Sequence, residues 1–263
     1  MTTLKKHWWK ILLAIVVIGI GAAAMIVFQP FAERFDETNP PQFIQADFIE
    51  LDKIFSISKF RSGAGHDFSG NSGETCRSMK HYFNVQQSEA LWRQMEAYSQ
   101  TGTFPDPDPA TAIKIFSPVD GKITAIESEQ RPIGRQIWIK PSSQPQVTIR
   151  LFHIYPLPNV TKGMKVAAGE QIGTIGAYQN TDIAVQIGVG WNVRYYSYFS
   201  VMPDSVFAAY EERGVRDRND FIISKEYRDA HPLECNGEQF AQNYDSLESD
   251  EHYIRLRGYK EAE

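Results

Sequence analysis

The sequence predicts a mainly β protein with a few short helices and one N-terminal transmembrane helix. Three observations predict this: an uncharged apolar run at 11–28, short β-branched runs over 113–199, and helically spaced apolar residues elsewhere. With 263 residues, of which 42% are hydrophobic, the chain can bury a sizeable core. A net charge of −5, with no basic run after the first ten residues, disfavours nucleic acid as the main partner.

The apolar run ILLAIVVIGIGAAAMIVF (11–28) has the character of a membrane-spanning helix. At about 1.5 Å per residue it approaches the roughly 30 Å of a bilayer core. Lysines precede it and acidic residues follow, so the positive-inside rule predicts a cytoplasmic tail at 1–10 and an extracytoplasmic main domain. A cleaved signal peptide is the alternative, because Ala22–Ala24 resemble a cleavage site, although the apolar run continues past them. We therefore expect a signal anchor and a single-pass protein of the cell membrane.

The chain contains two cysteines, Cys76 and Cys235. Outside the cytoplasm an even pair is most simply a disulfide, and two buried free thiols are the alternative. The bond would tie the Gly- and Ser-rich stretch SGAGHDFSGNSGETCRSMKHYF (62–83) to the C-terminal part of the chain. Because it would close a long loop, we expect it to contribute a few kcal/mol to stability.

The composition of the chain changes at several points after the apolar run. The predicted segments are a linker at 29–42, a loop-rich extension at 43–112, a β domain at 113–199 and a helical extension at 200–263. Within the first extension, SEALWRQMEAYSQTG (88–102) predicts a short helix, because its apolar residues recur at helical spacing and a glycine ends it. In the β domain, short runs of β-branched residues alternate with Gly, Pro and Asn, which is typical of strands joined by tight turns.

Three motifs in the β domain carry a family resemblance. SPVDGKITAI (117–126), TIRLFHIYPLPNVTKGMKVAAGEQIGTIG (148–176) and DIAVQIGV (182–189) resemble the β-sheet core of lysostaphin-type zinc endopeptidases, which are peptidoglycan peptidases. The middle motif is also similar to the duplicated hybrid motif of lipoyl- and biotinyl-type barrels. The resemblance therefore implies a barrel-sandwich hybrid or lysostaphin-type β-sheet core, and it names a fold rather than a function.

The resemblance also implies a zinc site, and this sequence departs from its pattern. Members of the family bind zinc through an upstream His and Asp and through the second His of a His-x-His strand, with two further histidines assisting. His153 matches the assisting histidine of the middle motif. Asp182 and Ala184 stand at the two positions of the His-x-His strand. Because a methyl group cannot bind a metal, the resemblance is to a degenerate member that lacks one of three ligands.

Several other residues are candidates for the remaining ligands. His66, Asp67 and His81 could ligate zinc, but their spacing differs from that of the family. A loop histidine held by a carboxylate is the alternative for His66, a histidine packed among aromatic rings for His81, and a hydrogen-bonded cleft residue for His153. Side chains alternate along a strand, so Asp182, Ala184 and Gln186 are expected to share one face, where Asp182 and Gln186 would line a groove.

The sequence therefore predicts a membrane-anchored, peptidase-like domain without catalytic activity or a cofactor. It would bind cell-envelope polymer or a partner protein in the groove. The alternative is a zinc metallopeptidase or hydrolase with a rearranged metal site, in which His66, His81 and His153 converge on the ion, because three imidazoles are a known ligand set for zinc.

Overall fold

The computed structural model describes residues 35–36, 39–70, 73–85, 89–102, 104–129, 133–188, 190–244 and 250–258. The predicted cytoplasmic tail and membrane run lie outside these residues. Within the described part, no helix is both long and apolar enough to span a bilayer. Membrane anchoring therefore stays a prediction from the sequence.

Antiparallel strands are the main regular structure of the described residues, which confirms the mainly β fold class. The strands are β1 Ile54–Ser58, β2 His81–Val85, β3 Ile113–Phe116, β4 Gly121–Ser128, β5 Arg135–Pro141, β6 Val147–Pro156, β7 Lys165–Val166, β8 Gln171–Ile175, β9 Thr181–Ile187, β10 Arg194–Tyr196, β11 Cys235–Asn236, β12 Gln239–Phe240 and β13 Tyr253–Arg255. The helices are α1 Glu89–Thr101, α2 Asp204–Glu211 and α3 Lys225–Ala230. Helix α1 confirms the helix predicted at 88–102.

Eleven of the strands named above form one sheet, whose main path runs in the order β13-β1-β2-β9-β6-β5-β4-β7, and β11 and β12 pair with each other in a separate two-stranded sheet. Strand β10 lies beside the second half of β9, on the same edge as β2, and β8 pairs with the end of β6 and with β3. Strand β9 is central, and six of its seven residues are buried. It is covered on both faces, because the hydrophobic core lies on one face and a loop lies over the other.

Segments predicted as separate regions share this sheet. Strands β1 and β2 come from the extension at 43–112, and β13 comes from the extension at 200–263. The pairing of Tyr82 with Asp182 joins the first of these to the β domain. Contacts group residues 37–263 into one compact unit. Residues 200–263 contain α2 and α3 and also a short hairpin of β11 and β12.

An aromatic cluster fills the core beneath β2. Phe199 stacks on Phe221 with 3.7 Å between ring centroids, and Tyr210 of α2 meets Phe199 edge-on at 5.1 Å. All three side chains are completely buried. Burying large aromatic side chains contributes roughly 2–3 kcal/mol each, so this cluster fixes α2 against the sheet.

Residues 62–70 and 73–80, here called the cap loop, lie over the outer face of the sheet. Hydrogen bonds from Ser78 N to Ser62 O and from Phe68 N to Arg77 O close the cap loop on itself. A disulfide joins Cys76 to Cys235 in the β11–β12 hairpin, which confirms the predicted pairing. The cap loop is thus held from both sides, by its own bonds and by the hairpin.

Candidate functional site

A bulge in β6 aims His153 at the centre of the sheet. Gln136 of β5 faces two residues of β6, because Arg135 pairs with Ile154 whereas Ile137 pairs with Leu151. His153 has a φ of 62°, in the left-handed region that non-glycine residues rarely adopt. Regular alternation would place Phe152 and His153 on opposite faces, but the bulge brings both beside Asp182.

Two carboxylates hold the imidazole of His153. Its Nδ1 lies 2.7 Å from Glu129 Oε2, and its Nε2 lies 3.3 Å from Asp182 Oδ1. The second oxygen of Glu129 accepts a 2.8 Å hydrogen bond from the His153 backbone N–H, so Glu129 fixes both the ring and the strained backbone. Neither contact has hydrogen-bond geometry, so a protonated imidazole would be attracted to the two carboxylates through its charge. His153 is 28% exposed, so this site reaches the surface.

A buried lysine takes the other side of Asp182. The ammonium of Lys80 forms an ion pair with Asp182 Oδ2, and the two side chains are 3% and 0% exposed. Lys80 Nζ also lies over the rings of Phe68, Tyr82 and Phe152, at 4.7, 4.7 and 4.5 Å from their centroids. A carboxylate and three aromatic faces together attract a cation strongly.

His66 in the cap loop completes the surroundings of Lys80. Its Nδ1 lies 2.9 Å from the Asp67 carbonyl oxygen, and because that oxygen can only accept, Nδ1 carries the proton. In the neutral ring, the lone pair of Nε2 then faces Lys80 Nζ at 3.4 Å. The cap loop therefore contributes an imidazole directly to the buried ion pair.

The charges of this cluster move its pKa values in opposite directions. Burial lowers the pKa of His153, but the negative charges of Asp182 and Glu129 outweigh it, so the pKa ends above its usual value. Burial and the nearby Lys80 ammonium lower the pKa of His66. Burial opposes the charge of Lys80, yet Asp182 and Tyr82 raise its pKa overall. Lys80 is therefore a cation at neutral pH, with a protonated His153 favoured nearby.

The same face of the sheet continues from Asp182 along β9. Ala184 lies opposite Arg150, and Gln186 lies opposite Tyr195. The Arg150 guanidinium lies over Trp138 at 4.7 Å, donates to Gln136 Oε1 at 2.8 Å and approaches Gln186 Oε1 at 3.4 Å. Among the described residues, Arg150 forms no ion pair with a carboxylate. Asp182 and Gln186 are themselves buried, so the groove expected beside them stays a prediction, and polar and aromatic side chains surround that place.

His81 lies on the opposite face, inside the aromatic core. Its Nδ1 donates to the Ser58 carbonyl oxygen at 2.7 Å, and its Nε2 accepts from the Ser197 hydroxyl at 2.8 Å. Complete burial lowers the pKa of His81 to about 4, so the ring is neutral at pH 7. His81 points away from His66 and His153, because neighbouring side chains of β2 alternate between the faces. The convergence of these three histidines does not occur.

Asp67 holds the cap loop together. Its Oδ1 accepts hydrogen bonds from the Ser69 hydroxyl at 2.7 Å and from the Arg77 backbone N–H at 3.1 Å. Its own backbone N–H donates to Glu238 O in the hairpin. The carboxylate therefore faces the loop, while the neighbouring His66 ring faces Lys80.

The residues present do not fit the zinc centre that the resemblance implies. Ala184 is buried in an apolar cluster with Phe60, Met79, Phe152 and Tyr195. Both nitrogens of His81 are occupied in the core, and Lys80 lies between His66 and Asp182. Within the described ranges, no three His, Cys, Asp or Glu side chains are arranged to hold a metal ion.

Lys80 and Glu129 are site residues that were not predicted from the sequence. Lys80 and Tyr82 are the sequence neighbours of His81. Because side chains alternate between the two faces of a strand, a His81 side chain in the core predicts that Lys80 and Tyr82 lie on the opposite face, beside Asp182. That signal was in the sequence. Glu129 follows the last residue of β4 and reaches His153 only through the bulge, and the sequence gives no indication of it.

Comparison with known proteins found similarity among solved structures only. No protein-family model matches the chain, and no curated protein matches it. The Helicobacter pylori Csd3 structure from the hexagonal crystal is 15% identical with a TM-score of 0.39, over 82% of this chain and 46% of that one. The solution structure of lysostaphin is 17% identical with a TM-score of 0.27, over 34% of this chain and 44% of that one.

A third solved structure is lytM from Ruminococcus gnavus, named for a glycyl-glycine endopeptidase. It is 15% identical with a TM-score of 0.30, over 55% of this chain and 59% of that one. This chain therefore spans about half the length of the structures it matches. Lysostaphin and lytM are of the class that the sequence motifs resemble, and the likeness transfers no residue role or activity to this chain.

Proposed function

We propose that this protein is a membrane-anchored, peptidase-like binding module without catalytic activity. Ala184 carries the proposal, because its buried methyl group stands on the face of β9 where the sequence resemblance requires a zinc ligand. The ion pair of Lys80 and Asp182 beside it supports the same conclusion. The run at 11–28 would anchor the module with its N-terminus in the cytoplasm and the sheet outside.

The proposed binding surface lies around Trp138 and Arg150, where the sequence predicts a groove next to Asp182 and Gln186, whose own side chains are buried. Trp138 offers an aromatic face, and Gln136, Gln186 and Arg150 offer amide and guanidinium groups next to it. Aromatic faces flanked by polar groups suit the sugar rings and peptide amides of cell-envelope polymer or the surface of a partner protein.

Binding can be tested with the full chain in detergent micelles. We expect it to co-sediment with isolated envelope polymer or to retain an envelope protein, and Trp138→Ala to weaken that binding about tenfold or more, as loss of an aromatic anchor does. Tyr227→Ala is the matched control, because Tyr227 is an exposed aromatic residue on α3. Equal losses for both variants would argue against the groove.

The catalytic question needs a separate measurement on the same preparation. We expect no zinc at stoichiometric level and no cleavage of envelope peptides. Near-stoichiometric zinc together with cleavage, both lost in Asp182→Asn, would establish the alternative zinc hydrolase with a rearranged site.

A further inference from the structure

The Lys80 ammonium lies in the interior of the site, in the way that a bound cation would. Its Nζ is bounded by the Asp182 carboxylate, the His66 Nε2 at 3.4 Å and the rings of Phe68, Tyr82 and Phe152. Asp182 in turn reaches His153, which Glu129 holds. Carboxylate and imidazole are among the groups that ligate zinc in proteins, and here they face an ammonium.

We propose that the Lys80 ammonium is the resident cation of this site and takes the place of the metal ion that the family resemblance implies. The inference deepens the proposed function and rests on it. A metal ion exchanges with solution, whereas this cation is part of the chain. The charge of the buried Asp182 is therefore balanced under any metal supply, and the face of β9 keeps its shape without a cofactor.

Burial makes Asp182 dependent on its partner. A completely buried carboxylate that loses its counter-charge is strongly unfavourable, whereas removing both members of a buried pair costs much less. His153 lies 3.3 Å from Asp182 and only partly compensates, because Glu129 shares its charge. The two carboxylates thus lie beside two cationic side chains, and Lys80 is the one that is almost completely buried together with Asp182.

The first test is a double-mutant cycle in the full chain in detergent. We expect Lys80→Gln to lower the melting temperature by roughly 10 °C, and Lys80→Gln with Asp182→Asn to recover most of that loss. Lys122→Gln is the control, because Lys122 is an exposed lysine on β4. If Lys80→Gln fails to fold and the double variant folds, the coupling is equally demonstrated. Additive losses from the two substitutions would overturn the proposal.

The second test asks whether the site selects a cation. Lys80→Ala removes a fragment equivalent to propylammonium. We expect propylammonium chloride to raise the melting temperature of Lys80→Ala by several degrees over the same concentration of sodium chloride, and to leave the wild type and Lys80→Ala with Asp182→Asn unchanged. Equal effects on all three proteins would contradict a cation site.

Zinc chloride serves as the third probe. Stabilisation of Lys80→Ala, but not of the wild type, would show that an ion enters once the ammonium is gone. Stoichiometric zinc on the wild type that Asp182→Asn removes would overturn the proposal. These measurements use no envelope ligand, so a failure of the groove to bind one would not affect their outcome.

Discussion

His81 and His153 belong to the same sheet, yet their surroundings favour opposite charge states. His81 lies among apolar rings, with a carbonyl oxygen and a hydroxyl as its partners, and burial keeps it neutral. His153 lies between two carboxylates, which outweigh its burial. Each histidine should therefore change the free energy of unfolding with pH in its own direction.

The effect of His81 on stability is expected at acidic pH. The unfolded chain takes up a proton near pH 6.5, whereas folded His81 does so only near 4. Stability contributed by neutral His81 is thus complete above pH 6.5 and is lost as the pH falls, by about 3 kcal/mol in total. We expect denaturant unfolding between pH 7 and 4 to show this loss in the wild type and a smaller one in His81→Gln. His231→Gln is the control, and an unchanged acid slope in His81→Gln would contradict the assignment.

The stability that His153 contributes depends on pH in the opposite direction. Because its folded pKa is raised, its contribution is complete below the unfolded value of 6.5 and disappears as the pH rises through the folded pKa. We therefore expect His153→Gln to destabilise the protein more at pH 6 than at pH 9. Unfolding curves at the two pH values measure this difference. A larger loss at pH 9 would mean that His153 acts in its neutral form.

Among the elements, the bulge in β6 is the feature that builds the site. Gly134 makes it possible, because its φ is 70° and a Cβ there would lie 2.5 Å from the His153 carbonyl carbon. The loop before β5 can approach β6 so closely only without a side chain. Gly134, the strained His153 and Glu129 therefore depend on one another.

Substitution of Gly134 tests this arrangement. Gly134→Ala should combine the cost of a left-handed alanine, about 1–2 kcal/mol, with a backbone clash of a further 1–3 kcal/mol. Gly163→Ala is the matched control, because Gly163 also has a positive φ, but a Cβ there would meet no atom within 4 Å. Thermal unfolding should give a clearly lower melting temperature for Gly134→Ala than for Gly163→Ala. Equal losses would mean that the loop moves away freely.

The sequence was informative where the local pattern determines the structure. Alternation along β9 correctly placed Asp182, Ala184 and Gln186 on one face, as their partners Phe152, Arg150 and Tyr195 indicate. The helical spacing that predicted α1 was likewise sufficient. The bulge could not be predicted, because it depends on the close approach of Gly134, in the loop before β5, to the backbone of His153. Without the bulge, the link between His153 and Glu129 could not be predicted either.

At the scale of the whole molecule, segments far apart in the chain depend on one another. Composition suggested a β domain with two additions, but β2 and β13 extend the same sheet. Lys80, one residue before β2, meets Asp182 of β9 only because of this pairing. The site is therefore a property of the entire unit and not of the β domain that carries the family resemblance.

The disulfide is the longest-range element of this organisation. It links residues 159 positions apart and fastens the cap loop to the hairpin of β11 and β12. Closing so long a loop reduces the freedom of the unfolded chain, and loss of such a bond typically costs about 2–5 kcal/mol. We expect that loss for Cys76→Ser with Cys235→Ser, measured by denaturant unfolding of the full chain.

Hydrogen exchange of the same double variant can separate a global effect from a local one. The amides of Ser78 and Met79 donate within the cap loop, whereas those of Ile139 and Ile149 belong to the paired strands β5 and β6. If the disulfide holds the cap loop down, exchange at Ser78 and Met79 should accelerate more than exchange at the two strand residues. Because Phe68 of the cap loop lies over Lys80, this opening would also bring water to the buried ion pair. Uniform acceleration at all four amides would instead show that the bond stabilises the molecule only through its unfolded state.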